Sequence, residues 1–156
     1  MRLEDVFREN QRSVYAYFLR VVGDRHKAED LTQETFYRAC TAALRYRGDA
    51  PVINWLFGIA RRVLLESSRK GLFNPDSELN EDIYPAQEHD HAARIDLEHA
   101  FALLPFVDRE ALMLVDYLGF SPSEAARLVA VEPGAFRMRL LRARRRLRTL
   151  LGQETL

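Results

Sequence analysis

Residues 121–151 read SPSEAARLVAVEPGAFRMRLLRARRRLRTLL, and this pattern predicts two helices joined by a tight turn. Ser121 is placed to cap the first helix, and Glu124 is placed to complete a capping box with it. Residues 131–134 are predicted to turn the chain, and a second helix is predicted from about Pro133 to Leu151. A short capped helix, a turn of about four residues and a longer helix are typical of a helix-turn-helix.

The second predicted helix is strongly basic. Seven arginines lie between residues 137 and 148, and this segment contains no acidic residue. In a helix-turn-helix the N-terminal part of the second helix enters the major groove, where arginine binds guanine or phosphate. Because uncompensated charges on one helix repel each other unless an anion neutralises them, DNA is the favoured partner. A solvated basic face, or a helix that binds another protein, is the alternative.

The rest of the chain also has helical periodicity, and no segment alternates polar and apolar residues as a strand would. We therefore predict an all-α protein of two small domains. A four-helix-like N-terminal domain is expected over residues 1–70, with Gly23 ending its first helix and Asp24 capping its second. Residues 71–91 are expected to form an acidic linker, and residues 92–152 a helical domain that contains the helix-turn-helix.

The chain has 156 residues and no net charge, but its charges are unevenly distributed. Residues 1–70 contain 13 basic and 9 acidic residues, residues 71–98 contain 1 basic and 8 acidic residues, and residues 99–156 contain 9 basic and 6 acidic residues. Two basic blocks therefore flank an acidic middle. Such asymmetry indicates the kind of partner rather than the fold.

Composition also argues against several classes of function. Cys40 is the only cysteine, which excludes an intramolecular disulfide and a multi-cysteine zinc site and fits a reducing compartment. No apolar run approaches about 18 residues and no signal peptide is evident, so we expect a soluble, cytoplasmic protein. His89 and His91 form only a weak candidate metal pair, and the carboxylates of Asp30 and Glu34 lack a nucleophile or histidine companion. We expect no metal, no cofactor and no enzymatic activity.

Several further motifs follow one another along the chain. Residues 28–39 read AEDLTQETFYRA, residues 46–51 read YRGDAP and residues 55–61 read WLFGIAR. The C-terminal half contains LLP at 103–105, REA at 109–111, GFS at 119–121, EAA at 124–126 and GAFRMRLLRARRRL at 134–147. Together these motifs resemble regions 2 and 4 of bacterial sigma factors, in the extracytoplasmic-function (ECF) subgroup of the sigma-70 family. The order of the motifs and the poorly patterned linker between them are also those of the family.

This resemblance implies a transcription initiation factor that is not itself an enzyme. Its implied partners are core RNA polymerase, through the β′ clamp and the β flap, promoter DNA and an anti-sigma factor. The resemblance assigns core-polymerase binding to Asp30, Gln33, Glu34 and Arg38. It assigns −10 recognition to Arg47, Gly48, Asp49, Asn54, Arg61 and Arg62, with the loop at residues 47–52 receiving a base flipped out of the non-template strand. It assigns −35 recognition to Ser121, Pro133, Ala135, Phe136, Arg137, Arg139, Arg142 and Arg144.

Two other interpretations stay open at the level of the sequence. Ala135 and Met138 replace hydroxyl residues that are common at the start of the second helix in the family. This departure favours a sigma-like decoy or scaffold that binds an anti-sigma factor or another regulator without binding promoters. The second alternative is a stand-alone helix-turn-helix regulator, which would not need the N-terminal domain in this form.

Overall fold

The computed structural model describes residues 2–75 and 92–152, and every regular element in these two ranges is helical. The predicted all-α class is therefore confirmed. The first range contains α1 (Leu3–Val22), α2 (Arg25–Ala42), a short 3-10 turn (Ala43–Arg45) and α3 (Val52–Arg69). These are three α-helices rather than the four-helix-like arrangement that we predicted, because the chain between α2 and α3 forms a 3-10 turn and a loop.

The second described range contains four α-helices. These are α4 (Ala92–Ala102), α5 (Phe106–Leu112), α6 (Pro122–Leu128) and α7 (Pro133–Leu150). A π-helical turn (Met113–Tyr117) continues directly from α5, and no pattern in the sequence predicted it. The short α6, its turn and the long α7 form the helix-turn-helix.

Local signals in the sequence account for most of the helix ends. Gly23 ends α1 with a φ of 77°, in the left-handed region that favours glycine. The side chain of Asp24 caps α2 by accepting a hydrogen bond from the backbone N–H of Lys27. The capping box at the start of α6 is complete: Ser121 accepts from the backbone N–H of Glu124, and Glu124 accepts from that of Ser121.

One apolar core runs through both halves of the described chain. Phe57 of α3 lies at its centre, edge-on to Tyr17 of α1 and to Phe120 before α6, with ring centroids 5.5 Å apart in each pair. Edge-to-face contacts of this kind stabilise aromatic pairs beyond the burial of their surface. Of the first three helices, α1 therefore packs against α5 and the π-helical turn, and α3 packs against α6 of the helix-turn-helix.

The beginning of the predicted linker is packed against the second domain. Phe73 is buried and its ring lies 5.5 Å from that of Phe106 in α5. Most of the acidic residues of the linker, and the pair formed by His89 and His91, lie outside the described residues. Among the helices of the described ranges, none is long and apolar enough to cross a membrane.

Candidate nucleic-acid and polymerase interfaces

The arginines of α7 fall into two groups. Arg144 donates to both carboxylate oxygens of Asp116, at 2.6 and 3.1 Å, and Arg146 donates to the buried carboxylate of Asp108 at 2.6 Å. The sequence suggested seven uncompensated charges on this helix. In the structure, acids that are distant in the chain neutralise two of them. Arg137 and Arg142 are exposed, and within residues 2–75 and 92–152 neither forms a salt bridge, although the charge of Arg137 helps to lower the pKa of Glu132.

The residues predicted to bind the −35 element do not share one face. Phe136 is fully buried, so its side chain belongs to the core and cannot contact DNA in this structure. It leads an inward-facing row that continues with Leu140 and Ala143. Pro133 and Ala135 are exposed at the start of α7, Arg139 is half-buried, and Ser121 is exposed at the start of α6.

Glu132 is a residue of this surface that our sequence reasoning did not assign. Its side chain caps α7 by accepting from the backbone N–H of Ala135 at 2.9 Å. Hydrogen bonds from the backbone of Gly134 and Ala135 lower the pKa of the Glu132 carboxyl below its usual value. An ionised carboxylate therefore stands at the end of α7 that would approach DNA bases. The position of Glu132 directly before Pro133 and Gly134 was the signal that could have identified this cap.

Most of the residues predicted to bind the −10 element line one cleft of about 580 Å³. Arg47, Asp49, Asn54, Arg61 and Arg62 all contribute to its wall. Gly48 lies in the same loop with a φ of 79°, a conformation that L side chains rarely adopt. The structure thus brings together residues that are distributed over a loop and two turns of α3.

Aromatic side chains add a stacking surface to this cleft. Tyr46 and Trp55 line it, with ring centroids 5.0 Å apart. The hydroxyl of Tyr46 donates to the backbone carbonyl of Ala50 and so closes the loop between the two helices. Neither ring was among the −10 residues assigned from the sequence, although both belong to the motifs at residues 46–51 and 55–61. A flipped base needs stacking partners as well as hydrogen bonds, because its extrusion costs a few kcal/mol.

Two residues of the cleft are bound by carboxylates of the second domain. The side-chain amide of Asn54 donates to Glu124 at 2.7 Å. Arg61 donates twice to Glu110, at 2.9 and 3.0 Å, and Glu110 also accepts from the hydroxyl of Tyr17 at 2.5 Å. Glu110 is only 1 % exposed, so this ion pair is largely shielded from water.

The electrostatics of these contacts follow from burial and charge. Burial raises the pKa of the Tyr17 hydroxyl well above its usual value, and the adjacent Glu110 carboxylate raises it further. Burial lowers the pKa of Arg61, but the hydrogen bonds and charge of Glu110 outweigh that effect and keep the guanidinium charged. The hydrogen bond from Asn54, together with the backbone of Ser121, lowers the pKa of Glu124.

The predicted polymerase-binding residues lie along one side of α2. Asp30 and Gln33 are exposed, whereas Arg38 is held between Glu34, at 2.8 Å, and Glu66 of α3. The hydrogen bond that Arg38 donates to Glu66, and then the one that it donates to Glu34, raises the pKa of Arg38, which fixes its charge. This bridge ties α2 to α3.

Tyr37 is a further residue of this face that the sequence did not single out. It is 67 % exposed and lies one helical turn after Gln33 and Glu34. Exposed tyrosine is enriched in protein–protein interfaces. Its place within the motif at residues 28–39 was the available signal.

Comparison with known proteins identifies the family. The family model described as Sigma-70 region 2 matches residues 6–71, and the model described as Sigma-70, region 4 matches residues 94–147. The ECF RNA polymerase sigma factor SigM of Mycobacterium tuberculosis is 31 % identical over 153 residues, which cover 96 % of this chain and 76 % of that protein. The chain belongs to the ECF subgroup of the sigma-70 family. The SigM protein of Bacillus subtilis is 30 % identical over 161 residues, and the match covers 98 % of this sigma factor and 97 % of the Bacillus protein.

Solved structures extend the similarity to the placement of the domains. The sigma factor RpoE of Bartonella quintana, crystallised with the anti-sigma factor NepR, is 26 % identical to this sigma factor with a TM-score of 0.81. The match covers 97 % of this chain and 98 % of that one. A score of this size over both domains requires the two domains to superpose together. A structure of CnrH with the cytosolic domain of CnrY has the same fold, with a TM-score of 0.69 and 21 % identity over 98 % of this chain and 89 % of that one.

Proposed function

We propose that this ECF sigma factor uses three binding surfaces: one for core polymerase, one for the −10 element and one for the −35 element. Residues 1–70 act as region 2, which binds core polymerase and recognises and melts the −10 element. Residues 71–91 act as an acidic linker, and residues 92–152 act as region 4, which recognises the −35 element. The protein works in the cytoplasm as a non-enzymatic subunit of RNA polymerase.

The start of α7 is the observation that carries this proposal. Phe136 and Leu140 anchor the helix in the core, so the opposite face, with Arg137 and Arg142, is directed outward. A helix held in this way can enter the major groove without loss of packing. Arg137 lies near the start of α7, where it can reach base edges in a specific complex and a phosphate in a non-specific one, and Arg142 lies further along, where phosphate contacts are expected.

The cleft between the loop and α3 supports the −10 assignment. Arg47 and Arg62 are exposed cations for the phosphates of a single strand, and the rings of Tyr46 and Trp55 are stacking surfaces for a base. The energy for opening the promoter then comes from binding the unpaired strand, so no nucleotide hydrolysis is required. Gly48 gives the loop the backbone conformation that this shape requires.

The side of α2 supports a contact with the β′ clamp of core polymerase. Asp30 and Gln33 are free of the packing between α2 and its neighbours, and Tyr37 presents an aromatic surface beside them. We assign contact with the β flap to region 4. An anti-sigma factor is a further partner, since the Bartonella quintana RpoE structure holds a sigma factor in complex with one.

A pair of variants separates the polymerase contact from the DNA contacts. Asp30→Ala combined with Gln33→Ala is expected to weaken binding to core polymerase, measured by co-purification with core, and to leave the melting temperature unchanged. Glu9→Ala removes an exposed acid from α1 and is the matched control, which should bind core as the wild type does. Arg137→Ala should leave core binding intact and reduce transcription from a promoter that depends on its −35 element. Equal core binding by all of these variants would contradict the assignment of the α2 face.

A further inference from the structure

Met138 lies on the outermost line of α7, opposite the row of residues that anchors this helix in the core. It is 53 % exposed, whereas Phe136 and Leu140, two residues to either side, are buried. An α-helix turns by about 100° per residue, so Met138 projects about 160–200° away from both anchors. When α7 enters the major groove with its buried row turned away from the DNA, Met138 is therefore among the side chains that reach deepest.

Met138 belongs to a small apolar patch on this face of α7. Leu141, three residues further along the helix, is also exposed and lies beside it. Gly134, one helical turn before Met138, has no side chain, so Met138 is the first side chain of α7 on this line. Single exposed apolar residues are common on protein surfaces, but this pair occupies the middle of the face that we assign to DNA.

The charges around the patch favour DNA as the molecule that covers it. Arg137, Arg142 and Arg145 are exposed around the two apolar side chains, and α7 contains no acidic residue. In the major groove, rows of phosphates flank the base edges on both sides. A pair of apolar side chains surrounded by cations is complementary to this arrangement, because the cations meet phosphates while the apolar pair meets bases.

Thymine is the base whose chemistry matches an apolar side chain in the major groove. Each base presents hydrogen-bond donors or acceptors there, and thymine alone adds a methyl group, at C5. Methionine has no N–H or O–H donor and its sulfur is a weak acceptor, so it gains little from the other base edges. Its unbranched, flexible thioether can follow the surface of a methyl group closely. Met138 therefore favours a different base contact from the hydroxyl residue that is common at this position in the family.

We propose that Met138, with Leu141 beside it, recognises the C5 methyl group of a thymine, so that this sigma factor requires a T·A base pair at one position of its −35 element. The inference rests on the proposed recognition of the −35 element by α7, and it adds a residue that was not assigned to that element from the sequence. Arg137 and Arg142 supply contacts with guanine or phosphate. Met138 supplies selection, because it removes the methyl group of the correct base from water.

The test uses holoenzyme assembled from this chain and core polymerase, on a promoter that the wild-type holoenzyme transcribes in vitro. Each base pair of the −35 element is replaced in turn by the other three, and the initial rate of transcription is measured with holoenzyme below saturation. Where T·A is preferred, the thymine is then replaced by uracil, which lacks only the methyl group. The variants are Met138→Ser, Met138→Leu and, as the matched control, Leu150→Ser, which changes another exposed apolar residue at the far end of α7.

Uracil is expected to reduce transcription by the wild-type holoenzyme about fourfold, the factor that corresponds to the burial of one methyl-sized apolar group. Met138→Ser should transcribe the thymine and uracil templates equally, because it has no apolar side chain to cover the methyl group. Met138→Leu should keep most of the discrimination, since leucine is apolar and of similar volume. Leu150→Ser should discriminate as the wild type does. Thermal melting checks that each variant is folded.

The proposal is overturned if no position of the −35 element prefers T·A, or if Met138→Ser discriminates thymine from uracil as strongly as the wild type does. Loss of core binding by Met138→Ser, measured by co-purification, would also overturn it and would make the patch a contact with protein. A template with a scrambled −35 element separates this inference from the function on which it rests. If scrambling leaves wild-type transcription unchanged, −35 recognition has failed and the inference fails with it. If scrambling abolishes transcription but uracil has no effect, α7 recognises the element without Met138 and only the inference fails.

Discussion

The division of the α7 arginines into paired and unpaired groups leads to a quantitative prediction. Arg137 and Arg142 are exposed and form no salt bridge in the described ranges, so they are available to DNA phosphates. Arg144 donates from two of its three side-chain nitrogens to Asp116. We expect the first two to contribute to the salt dependence of DNA binding and Arg144 to contribute little.

The expected size follows from counterion release. Each phosphate neutralised by a protein cation contributes about −0.9 to the slope of log affinity against log salt concentration. Arg137→Ala combined with Arg142→Ala should therefore make the slope shallower by about 1.8. The matched control is Asp116→Ala combined with Arg144→Ala, which removes both members of one pair and keeps the net charge. Its slope should stay within roughly 0.5 of the wild-type value, since no phosphate contact is lost.

The assay is fluorescence anisotropy of a labelled duplex of mixed sequence between about 50 and 200 mM salt, with the free chain. A mixed duplex suffices, because phosphate contacts carry no sequence information. Thermal melting of each variant checks that it is folded. The reasoning is refuted if the variant that lacks the Asp116–Arg144 pair loses as much of the slope as the variant that lacks Arg137 and Arg142.

Three further predictions concern stability and the domain contact. Phe136→Ala should lower the free energy of unfolding by about 3–5 kcal/mol, measured in urea, because a fully buried ring is lost; a value below about 1 kcal/mol would contradict its burial. The pKa of Glu124 is lowered in the folded chain. The charged carboxylate therefore stabilises the fold above its unfolded pKa, and this contribution is lost as the pH falls through the folded pKa. Glu124→Gln should flatten the decline of the melting temperature between neutral pH and about pH 4. Glu110→Ala alone leaves Arg61 unpaired and should cost about 3 kcal/mol of unfolding free energy, measured by denaturation. Arg61→Met combined with Glu110→Leu removes both charges and should restore much of that stability. No recovery in the double variant would argue against coupling of the two residues.

The sequence predicted the features that depend on neighbouring residues. The glycine at 23, the cap at Asp24 and the capping box of Ser121 with Glu124 each act within a few residues, and each was found as predicted. The helix-turn-helix was predicted for the same reason, since its turn and the periodicity of its helices are local. The four-helix-like N-terminal domain was an overestimate, because the chain between α2 and α3 forms only a short 3-10 turn and a loop.

Contacts between distant residues could not be predicted in this way. Arg61 and Glu110 are 49 positions apart and belong to different domains, and no local pattern links them. The pairing of Arg144 with Asp116 spans 28 positions and is equally hidden. Phe136 is a case in which the assignment was wrong: its motif position suggested DNA contact, whereas its side chain is fully buried in the core.

Transcription in vitro tests the central claim most directly. The purified chain is combined with core polymerase from its own organism on fragmented genomic DNA, and the 5′ ends of the transcripts are mapped. We expect discrete start sites that share a −35 and a −10 sequence and that disappear when the chain is omitted. Specific initiation by a control sigma factor with the same core, together with none by this chain, would contradict its assignment as a promoter-directing subunit.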